Sequence, residues 1–63
     1  MSRKVVLRVE MDGLHAMALA QFLKRVGWQE MRVNAVDEDE CYLIHDALHT
    51  VEKELNRNGY APR

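Results

Sequence analysis

Residues 4–11 alternate between apolar and polar. Val5, Leu7, Val9 and Met11 fall on one side, and Lys4, Val6, Arg8 and Glu10 on the other. Period-two alternation in a β-branched stretch predicts a strand with one buried face over about 4–11. Asp12-Gly13 breaks it, and Asp12 is a fair N-cap for a helix beginning there. Residues 14–26 are nearly all good helix formers. At about 100° per residue, His15, Leu19, Phe22 and Val26 form one stripe, with Ala16 and Leu23 beside it. A helix is therefore expected over about 13–26, with Gly27 as the residue that ends it.

Residues 27–34 carry the weakest pattern. Trp28 and Met31 read as anchors of an ordered connection, and a short strand across 31–36 is a second possibility. Asn34 or Asp37 can cap another helix over about 35–58. On it Val36, Leu43, Ala47 and Val51 align, flanked by Ile44, Leu48 and Leu55. Gly59 stops that helix and residues 59–63 form a tail. The expected fold is α+β in a single domain over 1–63, with order β-α-α, or β-α-β-α if residues 31–36 pair. A lone strand leaves backbone groups without partners. The economical remedy is the same strand from a second copy, so a homodimer is expected.

Size sharpens that expectation. The chain has 63 residues, and a domain near that length buries only about 60% of the surface its unfolded chain exposes. Cys41 is the only cysteine, so no disulfide within the chain can help, and the thiol fits a reducing cytoplasm. Apolar residues at 48% and charged residues at 30% describe a globular chain. No apolar run approaches a membrane span, and Arg8, Glu10 and Asp12 cut the first one too early for a signal peptide. A cytoplasmic protein is expected.

The net charge of −1 conceals two halves of opposite sign. Residues 1–36 carry six Lys or Arg against three acids, and residues 37–63 carry three against seven. The strongest local feature is Asp37-Glu38-Asp39-Glu40. Acids in a first helical turn favour the positive end of the helix dipole. Four in a row exceed what capping requires and repel one another. With Asp46 they offer a negative patch to a basic protein surface, with Tyr42 and Trp28 as apolar additions.

Other constellations carry less. Cys41, His45 and His49 recur at i, i+4, i+8 on the second helix, a spacing that places metal ligands on one face. The outer two lie about 12 Å apart along the axis, too far for one ion, so these are weak candidates and no cofactor is expected. His15 sits on an apolar stripe, where a histidine bonded near the helix end is the plainer reading. Glu40 and Glu54 are about 21 Å apart and cannot share a substrate. Ser2 and Thr50 are the only hydroxyl side chains besides tyrosine. No nucleophile–base arrangement and no glycine-rich phosphate loop is present, which points away from an enzyme.

Arg3, Lys4 and Arg8 form the basic counterpart. A strand followed by two helices resembles the ribbon-helix-helix repressors, in which a two-stranded ribbon enters the DNA major groove. The resemblance implies DNA contacts from Lys4 and Arg8 with Arg3 beside them. Against it, the second helix would present Asp37-Glu38-Asp39-Glu40 to a phosphate.

The strings Leu19-Ala20-Gln21-Phe22-Leu23-Lys24-Arg25-Val26-Gly27 and Asn34-Ala35-Val36-Asp37-Glu38-Asp39-Glu40, with the ending Gly59-Tyr60-Ala61-Pro62-Arg63, resemble a family of small phage and prophage proteins of proteobacteria. That family has no activity to carry over. The resemblance implies a mobile-element setting, where small acidic proteins block host proteins as anti-CRISPR proteins do. The leading expectation is a non-catalytic module that inhibits or modulates a host or phage protein with a basic surface through Asp37, Glu38, Asp39, Glu40, Tyr42, Asp46 and Trp28. The alternative is a DNA-binding regulator using Arg3, Lys4 and Arg8.

Overall fold

The structure, a computed structural model, describes residues 3–62; Met1, Ser2 and Arg63, the last residue of the expected tail, lie outside it. It contains α1 (Gly13–Arg25), α2 (Trp28–Val33) and α3 (Glu38–Arg57). Both α1 and α2 pack on α3. Leu23 and Val26 at the end of α1 face His45, Leu48 and His49 of α3, and Gly13 at its start lies by Tyr60 beyond the end of α3. The two helices are therefore antiparallel.

The α+β expectation is corrected: the described residues contain no strand, and the fold is all-helical. Residues 3–12 run as an arm without secondary structure, and residues 3–11 are all exposed. Alternation makes a segment fit for a pleated surface, but a strand exists only when its backbone groups find a ladder. The described residues supply no such neighbour. The β-α-β-α variant fails for a different reason. Residues 31–36 hold the end of α2 and the bend after it, and Asn34 Nδ2 closes that end by donating to the Glu30 carbonyl at 2.8 Å. A helix of six residues is too short to show a 3.6 period. Its start is local chemistry: the Gly27 N–H donates to Glu30 Oε1 at 2.8 Å.

The ends of α3 carry the expected signals. Asp37 is its N-cap, accepting from the Glu40 N–H at 2.9 Å. At the other end Gly59 takes φ +94°, the left-handed region in which glycine is least strained. Its N–H donates to Asn56 O at 3.0 Å and the Tyr60 N–H to Leu55 O at 2.9 Å, so the last carbonyls are satisfied by a Schellman turn. Tyr60 then folds back against α1. A Cβ at Gly13 would stand 2.9 Å from the Tyr60 hydroxyl oxygen, so glycine makes room there. Lys24 Nζ donates to Pro62 O at 3.1 Å and holds the tail. At the start of α1, Asp12 occupies the N-cap but its side chain makes no capping bond; its carbonyl accepts from the Ala16 N–H at 2.9 Å.

Both long helices are turned from the expected orientation by about a quarter turn. On α1 the buried residues are Ala16, Ala20 and Leu23, not the His15–Phe22 stripe. On α3, Cys41 is fully buried with Ile44, Leu48 and Leu55 half-buried, whereas Leu43 and Val51 are exposed. The small side chains of α1 let its backbone approach α3, and that approach selects the face. The core is thin: Ala16, Ala20, Leu23, Met31 and Cys41 are its buried apolar residues. No helix of the described residues is long and apolar enough to cross a membrane.

Leu23 is the largest α1 side chain in this core. Leu23→Ala is expected to cost about 2–5 kcal/mol, a large share of what so small a domain has. Urea denaturation followed by helical circular dichroism would show the loss; Leu14→Ala, at an exposed position, is expected to change the midpoint little.

Candidate protein-binding surface

The short helix α2 places Trp28 at its first position, and α3 presents Tyr42 one turn from its own start. The two rings meet with centroids 4.7 Å apart and planes at 58°. Such a pair contributes about 0.5–1.5 kcal/mol beyond its area. The His45 ring also lies near Trp28, centroids 6.1 Å apart, and its Nδ1 is 3.3 Å from Asp46 Oδ1. Trp28, Tyr42, His45 and Asp46 thus form one continuous surface. It stays open to water, with Trp28 38% and Tyr42 56% exposed.

The four acids at the start of α3 divide into two pairs. Asp37 caps the helix through the Glu40 N–H, and Glu40 Oε1 accepts from the Val36 N–H at 2.9 Å. These two are occupied with the helix end. Glu38 and Asp39 are exposed and make no ion pair among the described residues. Asp39, Tyr42 and Asp46 have the i, i+3, i+7 spacing of one helix face. Of the residues singled out from the sequence, Glu38, Asp39, Tyr42, Asp46 and Trp28 remain available for a partner, and Asp37 and Glu40 are explained by capping.

The sequence marks His45 only as a metal candidate, and nothing in it places that ring beside Trp28. Seventeen positions separate them in the chain, and only the packing of α2 on α3 joins them. The metal spacing itself yields no cluster. Cys41 is a free, fully buried thiol, while His45 and His49 are exposed, and His49 Nδ1 lies 3.6 Å from Glu52 Oε1. Among the described residues no three His, Cys, Asp or Glu side chains are grouped to hold an ion. A cleft of about 100 Å³ between Leu23, Val26, Met31 and the His45–His49 edge borders this surface. It is smaller than an ordinary ligand site of about 300–1,000 Å³. His15 is exposed on α1. Arg3, Lys4 and Arg8 are exposed on the arm, with Arg8 3.6 Å from Glu10. The strand on which the ribbon-helix-helix comparison depended is absent from the described residues.

Fold and surface together define a small helical protein, with three helices among the described residues and a solvated aromatic–acidic face. The chain belongs to a family of unknown function (DUF7706), whose model matches residues 1–63. Comparison with curated proteins and with solved structures finds no match.

The division of the acids is measurable as stability. Asp37→Ala is expected to cost about 1 kcal/mol through the lost cap. Asp39→Asn is expected to cost only a few tenths, roughly the screened dipole contribution of an exposed first-turn acid. Equal losses in paired urea titrations would contradict the division.

Proposed function

We propose that the protein is a non-catalytic module that binds a host protein through the aromatic–acidic face at the junction of α2 and α3, and so inhibits or modulates it. The observation that carries this reading is the tilted, solvent-open Trp28–Tyr42 pair beside Asp46 and the unspent Glu38 and Asp39. Trp and Tyr dominate the energetics of protein interfaces because a rigid ring buries much area at little entropic cost. Left in water, such a pair lacks the burial that would make it a core element. Carboxylates around the rings select a basic partner surface and raise its association rate. The resemblance to small phage proteins supports a component of a host defence system as the kind of target. The observations that would favour DNA are weaker, since the basic arm has no strand to enter a groove.

The test is capture of host protein from bacterial lysate by the tagged full-length chain, with and without nuclease. The wild type is expected to retain one protein under both conditions. The double substitution Glu38→Lys, Asp39→Lys is expected to lose it while remaining helical, and Trp28→Ala to weaken retention at least tenfold. Unchanged capture by the folded double variant would refute the assignment of the face. Capture abolished by nuclease would favour the nucleic-acid reading instead.

A further inference from the structure

The chain exposes 5757 Å² of accessible surface. A folded monomer of 7.4 kDa ordinarily exposes about 4,200 Å². The excess is about 1,500 Å² per chain, uncovered surface of the kind that association with a second copy buries. The radius of gyration points the same way, at 12.8 Å against about 11 Å for a compact domain of this length. The most uncovered apolar segment is the arm, in which Val5, Val6, Leu7 and Val9 are each at least 67% exposed.

The order of residues in the arm says what covers it. Place Leu7 on a two-fold axis and run two arms in opposite directions. Lys4 then faces the partner's Glu10, and Val5 faces the partner's Val9. Each relation occurs twice, as an isologous contact requires. Two other arrangements are worse. Parallel arms set Lys4, Arg8 and Glu10 each against its own copy. An axis at Val6 sets Lys4 against the partner's Arg8. Within one chain Glu10 has only the Arg8 contact at 3.6 Å, with both side chains more than four-fifths exposed, a geometry of little energetic weight.

We propose that residues 3–11 are the self-contact of a homodimer. The two arms lie in opposite directions about an axis at Leu7, Lys4 pairs with the partner's Glu10, and Val5, Leu7 and Val9 of both copies merge into one apolar patch. Each protomer remains the helical unit described above. This contact is centred on the arm and leaves the aromatic–acidic face free.

Sedimentation equilibrium of the full-length protein at micromolar concentration tests it. The wild type is expected at the mass of two chains. Leu7→Asp, at the axis, is expected to weaken association at least a hundredfold. Lys4→Glu and Glu10→Lys are each expected to raise the dimer Kd by about tenfold, since each sets two like-charge pairs across the axis. The double variant Lys4→Glu, Glu10→Lys restores both pairs in reversed sense and is expected to return within about threefold of wild type. It keeps the arm's composition, so a folding defect cannot imitate the result. A wild type at the mass of one chain would overturn the proposal. So would a dimer indifferent to Leu7→Asp, or a double variant no tighter than the single ones.

Discussion

The seating of α1 and α2 on a single face of α3 is the interaction on which the rest of this protein depends. That face runs through Cys41, Ile44, Leu48 and Leu55, and it meets a side of α1 made small by Ala16 and Ala20. Small residues bring helix backbones close, but they bury little area each. The consequence is a fold whose helices are well determined at their ends and thinly supported between them. What the core does not use is left in water: Leu14 and Phe22 on α1, Leu43 and Val51 on α3, and the whole apolar side of the arm. Monomeric proteins seldom leave so much apolar surface uncovered, and such surface marks interaction sites.

The same scarcity organises the candidate surface. Helix α2 is a six-residue piece whose position is set by Met31, buried against α3. Anchoring Met31 fixes Trp28 one turn earlier, where its ring meets Tyr42 at a tilt rather than entering the core. The acids at the start of α3 are divided by the same local geometry. The cap needs Asp37 and the bend before it needs Glu40, and the two residues between them point at solvent. The helix end thus consumes two carboxylates and leaves two exposed.

Features decided within a turn of chain were legible in the sequence. Asp37 and Gly59 mark the ends of α3 because capping and a left-handed turn depend on the residue itself. The extent of α1 was legible from its run of helix formers instead, since Asp12 makes no side-chain cap and Gly27 begins α2 rather than closing α1 in a left-handed turn. Facing was not, because both long helices carry apolar arcs wider than the stripe they bury. The choice within the arc is made by the approach of α1 to α3, so the residues read as flanking became the core. The arm shows the converse error: its alternation is real, but a strand is a property of two segments and the described residues hold one. At the candidate surface the residue types were legible and their grouping was only partly so. Tyr42 and Asp46 share a helix with the acids, whereas Trp28 and His45 meet only through the packing of α2.

If the surface that the thin core leaves open is an interface, folding and association are one equilibrium, and stability must depend on how much protein is present. The most direct measurement is the urea midpoint of the full-length wild type at protein concentrations spanning about a hundredfold. A midpoint that climbs steadily with concentration is the predicted result. A midpoint that stays fixed across the whole range would mean that the three helices stand alone, and would contradict the account at its base.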